Sequence, residues 1–587
     1  MDGRHCLVQY RTRLTARPDT LVPGRVLKYK WLPRPEVPGR DEDLNGIAGI
    51  PEPVMSLARR RGLNPAFFRS DYSLLSSWQS LPGADSASLI LEDAVKNGKL
   101  ILVHGDFDAD GITATATAVR VIRALGGQVQ HYIPGRFQDG YGLGDAAVDL
   151  CIHRGVKVLI TVDCGITSID EVAKLRANGV KVIVTDHHKP QNTLPDADVV
   201  VDPELSSDRN ARWRYLAGAG VVHSVLRGLA ERMDSASIPE LEPDLVSIGT
   251  ICDVVSLTGD NRTLVRRGLD ILRKKPVPGV LALMRAVGIE YAEVTTRDIS
   301  FGLGPVINSS GRIAHADQAV ELLLETQPDL AAGMASGLEK TNKKRKSLDS
   351  SVFAEADSLL ANTKTEIAVA ASEHWHAGVI GISASKIARQ MNKPVVLVAW
   401  DGETGRGSAR GVSGKPVYPV LKKAMEEGLL LSFGGHNQAA GISLRKDKYA
   451  DFKSFVEGIA DSLYAKAPDP VLYIDGGLTA EQCNIGILNA LRNFEPFGEG
   501  NPEPVWITRG LYPVSFRSVG QGGKHLQISF QSGNTTLRGI GFGMGHRTSE
   551  LDRMLDVAFT LSADSWRGGD SVQLVVADIK PAAGRIK

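Results

Sequence analysis

Sulfur is scarce in this chain. Its 587 residues include five cysteines. They are dispersed and odd in number, which argues for reduced thiols in a cytosol rather than a disulfide framework. No CxxC or HExxH pattern occurs, which speaks against a thiolate zinc site and against a zincin. No apolar run reaches the length of a membrane span. The N-terminus is basic but lacks the apolar core of a secretory signal. There is no internal repeat and no low-complexity tract. Lys and Arg number 68 against 67 Asp and Glu, a net charge of +1. No global charge therefore draws a polyanion, and any nucleic-acid surface must be local. The length allows several domains with sizeable cores.

Acidic residues, by contrast, are concentrated at one place. The segment HGDFDADG carries Asp106, Asp108 and Asp110 at alternate positions. Three carboxylates in one tight loop repel one another unless a cation sits among them. A solvated acidic turn is the ordinary fate of Asp and Gly clusters. A calcium loop is a second alternative, because D-x-D-x-D-G opens the EF-hand pattern. That pattern needs a bidentate Glu at its twelfth position, where this chain has Thr117. An EF-hand loop also follows a helix, whereas VKNGKLILV reads as a turn and a buried strand.

The same grammar recurs twice. In KVLITVDCG, Asp163 follows the apolar run Val158 to Val162. In KVIVTDHH, Asp186, His187 and His188 follow Val182 to Thr185. Short β-branched runs suit strands of a parallel sheet covered on both faces. Helical patterns lie between them, over residues 111–125 and 168–178. The order strand, helix, strand, helix predicts a doubly wound α/β sheet. In such sheets ligands bind beyond the carboxyl ends of the strands, so the three strand ends share one rim. Carboxylate oxygen with some imidazole nitrogen suits Mn²⁺, and Mg²⁺ less well. The acids outnumber what one ion needs, which favours two metals and the hydrolysis of a phosphodiester or phosphoanhydride.

HGDFDADG, VDCG and TDHH in this order resemble the DHH phosphoesterase superfamily. YIPGRFQDGYGL (residues 132–143) narrows the resemblance to the RecJ family of single-strand-specific exonucleases. LAGAGVV (216–222), IGTICDVVSLTGDNRTLV (248–265) and LGPVINSSGRIAHADQAVELLL (303–324) resemble the rest of its catalytic core. WHAGVIGISASKIA, GSARG and FGGHNQAAG resemble its DHHA1 domain, and FEPFGEGNPEPVW (494–506) the opening of its OB-like domain. The resemblance spans about residues 45 to 587.

It implies a metal-dependent 5′-to-3′ exonuclease that degrades single-stranded DNA to mononucleotides in repair and recombination. Asp108, Asp110, Asp163, His187, His188 and Asp253 would hold two Mn²⁺ or Mg²⁺ ions. Asp106 would support them, and His187 and His188 would also act in catalysis. Asn308, Arg312, His376, Ser408, Arg410, Gly434, Gly435 and His436 would bind the nucleic acid and its phosphates. The implied protein is a cytoplasmic monomer, with a single-strand-binding protein or a helicase as partner. Two positions depart from the family pattern: Cys164 stands where Asn or a similar residue is usual, and Cys252 where Ala is usual. Neighbours on a strand point to opposite faces, so Cys164 is expected to pack under the rim, and both thiols read as structural.

The implied organisation is a basic N-terminal extension (1–74), a DHH catalytic domain (75–315), a connecting helix (316–364), a DHHA1 domain (365–467) and an OB-like nucleic-acid-binding domain (468–587). The extension reads either as a partly ordered segment or as a basic arm touching DNA. In the connecting stretch, Lys343, Lys344, Arg345 and Lys346 read first as a solvated helix face, then as a phosphate track. His374 and His376 form an H-x-H pair with no further ligands nearby. The small residues Gly378, Gly381 and Ser383 open a helix whose N-terminus can seat a phosphate. Alternating segments such as HLQISF and SVQLVVADI suit a small β-barrel. Two other functions remain: a hydrolase of nanoRNA, cyclic dinucleotides or pyrophosphate, against which the extra barrel argues, and an inactive DNA-binding scaffold, against which the full set of acidic and His positions argues.

Overall fold

The computed structural model describes residues 29–37, 49–69, 71–135, 142–465, 470–564 and 571–582. Arg4, Arg11, Arg13, Arg17, Arg25 and Lys28 of the basic extension lie outside them, as do residues 136–141. The chain divides into two compact units, Ser70–Arg345 with Pro496–Pro502, and the remainder.

The remainder begins with strand β1 (Lys30–Pro33) and helix α1 (Glu52–Arg60). In the first unit, α2 (Ala84–Lys96) leads into β2 (Ile101–Gly105), α3 (Ala109–Ala124), β3 (Val129–Tyr132), α4 (Asp145–Arg154), β4 (Val158–Val162), α5 (Ile169–Ala177), β5 (Lys181–Thr185) and β6 (Val199–Val201). These strands form one parallel sheet in the order β3-β2-β4-β5-β6. Alternation assigns their side chains to two cores. Ile101, Val103, Val158, Ile160, Val162 and Ile183 pack with α2 and α3. Leu102, Leu159, Val182 and Val184 pack with α4 and α5. Each such side chain, fully buried, contributes roughly 1.5–3 kcal/mol, which explains why both faces are apolar.

The unit continues with α6 (Gly218–Arg232), α7 (Asp244–Cys252), α8 (Gly259–Leu272), α9 (Pro278–Val287), the single turn α10 (Thr296–Asp298), α11 (Gly304–Ile313) and α12 (Asp317–Leu324). Helix α3 can be buried although it carries three threonines. The Thr113, Thr115 and Thr117 hydroxyls donate to the carbonyls of Ala109, Gly111 and Thr113 at 2.7–2.8 Å, so no hydroxyl is buried unpaired.

The stretch expected as one connecting helix is two. Helix α12 ends at Leu324 and α13 (Pro328–Leu360) begins at a proline. Proline lacks the N–H of a helix interior but is tolerated in a first turn. Ala319, Val320, Leu322 and Leu323 of α12 are buried in the core of the first unit. Of the charge run, Lys343, Lys344 and Lys346 are exposed, but Arg345 is buried and donates to Asn342 Oδ1.

In the second unit β7 (Ala368–Ser372), α14 (Ala377–Met391), β8 (Val395–Asp401), β9 (Thr404–Arg410), α15 (Tyr418–Glu426), β10 (Ser432–His436), β11 (Ala439–Arg445) and α16 (Tyr449–Tyr464) form a mixed α/β layer. Its sheet order is β10-β11-β9-β8-β7. Then follow β12 (Val471–Ile474), β13 (Gly476–Gly477), α17 (Ile485–Arg492) and the long strands β14 (Trp506–Val519), β15 (His525–Ser532), β16 (Thr535–Gly541), β17 (Leu555–Ala563) and β18 (Val572–Pro581). The pairings β14–β15, β15–β16, β16–β18, β18–β17 and β17–β14 close a five-stranded, OB-like barrel.

The described part of the N-terminal extension up to Arg69 is anchored in this unit, whereas residues 71–74 belong to the first. Strand β1 pairs in parallel with β12, from Lys30↔Val471 to Pro33↔Ile474. Trp31 Nε1 donates to Asp578 at 2.7 Å, and Arg34 and Arg61 both pair with the buried Asp475. Those two arginines are engaged with protein rather than open to a phosphate. Among the described residues no helix is long and apolar enough to cross a membrane, and Cys151, Cys164, Cys252 and Cys483 are free.

Candidate metal centre

Strand β2 stops at Gly105 and releases the acidic loop at the sheet's carboxyl rim. Asp108 caps α3, its Oδ1 accepting from the N–H groups of Asp110 and Gly111 at 3.0 and 3.1 Å. The cap occupies one oxygen and leaves the other for the rim. Asp110 sits in the first turn of α3 and is 1% exposed. Its Oδ2 accepts from Gly218 N at 2.7 Å and its Oδ1 from Ala219 N at 3.1 Å. The start of α6, with its partial positive charge, therefore stabilises a carboxylate that the sequence leaves isolated. Asp106 is buried as well.

Asp163 ends β4 with φ +63, a left-handed backbone uncommon for a non-glycine residue. Its N–H still reaches Thr185 O at 3.1 Å, so pairing to β5 holds while the side chain turns into the rim. At Gly218 an added Cβ would lie 2.5 Å from the Asp163 Cβ and 2.6 Å from its Oδ1. Only glycine lets α6 begin this close. Gly218→Ala is expected to displace Asp163 and lower kcat/KM by about 10²-fold, with the circular dichroism spectrum retained; unchanged kinetics would show that the contact does not matter.

Asp186 is fully buried and accepts four hydrogen bonds, from Ile166 N, His187 N, His188 N and His188 Nδ1 at 2.7–3.1 Å. Burial pushes its carboxyl up, but the bond to His188 and the nearby imidazole charges outweigh it and hold the group below the usual carboxylate range. His188 is opposed by burial too, yet Asp186 raises it to about 9. Asp186 therefore fixes the ring of His188, and with Nδ1–H donated only Nε2 remains for a ligand.

His187 turns the other way. Its Nε2 lies 3.0 Å from Asp163 Oδ1 and 3.6 Å from Asp253 Oδ2. Asp253 is the residue that closes α7. Asp163 Oδ1, His187 Nε2 and Asp253 Oδ2 are all buried without a hydrogen-bond partner. Three donor groups overlap here: Asp106, Asp108 and Asp163; Asp163, His187 and His188; and Asp110, His187 and Asp253. Within each group the donor atoms lie within 4.8 Å of one another. Burial raises the Asp110 carboxyl to about 7, with Asp253 adding to it, and raises Asp163 well above its usual value. Buried, converging, uncompensated oxygens and an imidazole nitrogen are what a hard divalent cation requires, and two shared residues allow more than one ion.

A fourth such group, His131, Asp317 and Glu321, is an ion-pair cluster tying β3 to α12, with His131 Nε2 2.9 Å from Asp317 and 3.4 Å from Glu321. The cysteines are not donors in any group. Cys164 is buried with its Sγ 3.5 Å from His104 Nδ1, and burial pushes both the Cys164 and the Cys252 thiol up.

Asn308, on α11, accepts at its Oδ1 from Ala109 N–H at 2.8 Å, which braces the acidic loop and leaves its amide N–H₂ for other partners. Arg312 lies in the last turn of the same helix. In the second unit, strand register aligns the other expected phosphate ligands. Ser408 and Gly434 both pair with Gly441, and Arg410 and His436 both pair with Ala439. Gly435 lies between them with φ +139. His376 caps α14, its Nδ1 accepting from Gly378 N at 3.0 Å. At Gly381 of that helix an added Cβ would come within 2.8 Å of both Ser408 Oγ and Arg410 Nη2. His376, Ser408, Arg410, Gly434, Gly435 and His436 thus belong to one sheet and one helix start. Sequence reasoning missed the orienting role of Asp186 and the Gly218 and Ala219 amides. The run Val199 to Val201 followed by Asp202 repeats the strand-then-acid pattern, but Asp202 belongs to none of the donor groups and caps the turn Pro203–Leu205.

Known proteins agree with this architecture. Residues 100–250 match the DHH family, N-terminal domain, residues 364–462 the DHHA1 domain and residues 474–578 the RecJ OB domain. The chain is 35% identical over 570 residues to the single-stranded-DNA-specific exonuclease RecJ of Salmonella typhimurium, covering 92% of this chain and 98% of that one. It is 33% identical over 577 residues to that of Escherichia coli, covering 92% and 99%. A crystal structure of RecJ from Thermus thermophilus in complex with Mn²⁺ superposes with a TM-score of 0.81 at 32% identity, covering 95% of this chain and 80% of that one. A second, in complex with Mg²⁺, gives 0.75 at 30%, covering 95% and 79%.

Proposed function

Because this chain belongs to the RecJ family of single-stranded-DNA-specific exonucleases, we propose that it is a divalent-metal-dependent exonuclease that degrades single-stranded DNA from 5′ to 3′ into mononucleotides, in DNA repair and recombination. One observation carries the chemistry: Asp163 Oδ1, His187 Nε2 and Asp253 Oδ2 are buried, unpartnered and aimed at one another. Asp108, Asp110, Asp163, His187, His188 and Asp253 hold two Mn²⁺ or Mg²⁺ ions, and Asp106 braces the loop. Bound there, the ions supply positive charge to a phosphoryl oxygen and a water of lowered pKa.

The protein's own groups do the rest. Asp186 keeps Nδ1 of His188 occupied, so Nε2 is the ring nitrogen that would take an ion. Gly218 and Ala219 hold both oxygens of Asp110 in place. Asn308 and Arg312, and in the other unit His376, Ser408, Arg410, Gly434, Gly435 and His436, bind the strand and its phosphates by charge-assisted and backbone hydrogen bonds. A closed OB-like barrel suits a single strand tracked along a groove. The free thiols fit action in the cytoplasm. A single-strand-binding protein or a helicase fits as partner, since each acts on the same single strands, and the chain would work as a monomer.

The competing assignment is a dinucleotide hydrolase, disfavoured by the barrel that matches the RecJ OB domain. Digestion of a long 5′-phosphorylated strand is expected to exceed that of a dinucleotide by at least about tenfold in kcat/KM. Preference for the dinucleotide would transfer the chain to the other class.

A further inference from the structure

Helix α9 and the start of α13, both within the first unit, border a cavity of about 490 Å³ that shares no residue with the metal centre or with the expected phosphate ligands. Its size falls within the roughly 300–1,000 Å³ of ordinary ligand pockets. Its floor is apolar: Pro276, Leu281 and Ala282 come from the α9 side, Pro328 and Ala332 from α13. The neighbouring stripe of α13, Ala331, Ala335 and Leu338, is buried in the core of the first unit. One stripe therefore holds the helix and the next is left open. The open stripe carries Ala332 and Ser336, both exposed, and the space exists because neither side chain is large enough to fill it.

The rim is basic. The exposed Arg285, Lys340 and Lys343 stand against one acid, Glu339. Glu339 is already engaged: it accepts from Asn342 Nδ2 at 3.1 Å and lies 3.9 Å from Lys343 Nζ. Arg285 and Lys340 form no ion pair among the described residues, so their charges are left over at the edge of an apolar cavity. Such a patch with a charged rim marks an interaction site, and its two properties define the occupant. A nucleic-acid strand would use the cations but also needs flat rings on which bases stack, and no aromatic side chain lines the cavity among the described residues. Aliphatic and proline surfaces instead receive a bulky apolar side chain, and free cations draw carboxylates to either side of it.

We propose that this groove binds a partner protein through a short acidic peptide segment anchored by a large apolar side chain. The proposal depends neither on the metal centre nor on nuclease activity. Fluorescence anisotropy on the full-length protein tests it, with a labelled peptide in which aspartates flank a single phenylalanine as the probe. Its affinity is expected to fall about tenfold when the phenylalanine is replaced by alanine, and about tenfold when the aspartates are replaced by asparagines.

Two variants locate the site. Arg285→Glu combined with Lys340→Glu reverses the rim, and Ala332→Trp fills the floor. Each is expected to weaken peptide binding at least about fivefold. Because these positions are exposed, the circular dichroism spectrum and Tm should be kept, and turnover of single-stranded DNA should stay within about twofold of wild type. A wild type that does not bind the peptide, binding indifferent to the phenylalanine or to the aspartates, or variants that bind as well as wild type would overturn the proposal. So would displacement of the peptide by an oligothymidylate together with a fall in DNA turnover in the charge-reversed variant, since the groove would then belong to the path of the strand.

Discussion

Asp163→Ala is expected to lower the hydrolysis of single-stranded DNA by about 10³-fold or more while leaving DNA affinity within a few-fold of wild type. Asp163 belongs to two of the three overlapping donor groups, so its removal is expected to weaken both of those groups at once. Its side chain is also the one that Gly218 accommodates, and its left-handed backbone shows that the fold holds it in an uncommon conformation to aim it. The expected phosphate ligands of the second unit are untouched by the change. Binding measured by fluorescence anisotropy in EDTA, beside turnover in Mn²⁺, separates the two effects. Turnover within about tenfold of wild type would remove Asp163 from the centre.

Metal removal should cost both activity and stability, and the stability cost should grow with pH. In the metal-free protein Asp110 and Asp163 are raised, chiefly by burial, Asp110 to about 7. His187 and His188 are raised by neighbouring carboxylates against burial, His188 to about 9. A group raised in the folded state contributes stability that is fully present below its unfolded pKa and lost as pH rises through the folded value. For the carboxyls the loss runs from about pH 4 upward; for His188 it runs from about 6.5 to 9. Asp186, which is lowered, works in the opposite sense, and only at acid pH. Across pH 6 to 8.5 the metal-free centre should therefore weaken steadily. Metal binding displaces those protons and should be tighter at higher pH.

The Tm gain on adding Mn²⁺ after EDTA treatment is thus expected to be larger at pH 8 than at pH 6. An ion present at about 100 times its dissociation constant stabilises by roughly 2.7 kcal/mol. A gain that is absent, or larger at pH 6, would mean that the buried carboxylates are not its cause.

How far the sequence discloses this arrangement depends on the range of each interaction. The parallel sheet is legible because its strands are buried on both faces and read as bare β-branched runs. Cys164 is buried as expected, but it lies past the end of β4 and after the left-handed Asp163, so strand alternation does not account for it. The partners of Asp110 do not follow, because the amides of Gly218 and Ala219 come from more than a hundred residues away and amides carry no residue code. Strand β1 is four residues without periodicity, and its parallel pairing with Val471–Ile474 exists only once the barrel unit has formed. The break before Pro328 was hidden by helical, charged sequence on both sides. Asp202 repeats the strand-then-acid pattern, but its strand is three residues long and Pro203 follows directly, so it reads as a turn.

The most direct test of the account is a time course on 5′-labelled and 3′-labelled DNA, single-stranded and duplex, with Mn²⁺, Mg²⁺ or EDTA. The expected result is early release of labelled mononucleotide from the 5′ end of the single strand only, with either ion and not with EDTA. Early release from the 3′ end, equal attack on the duplex, or activity persisting in EDTA would contradict it.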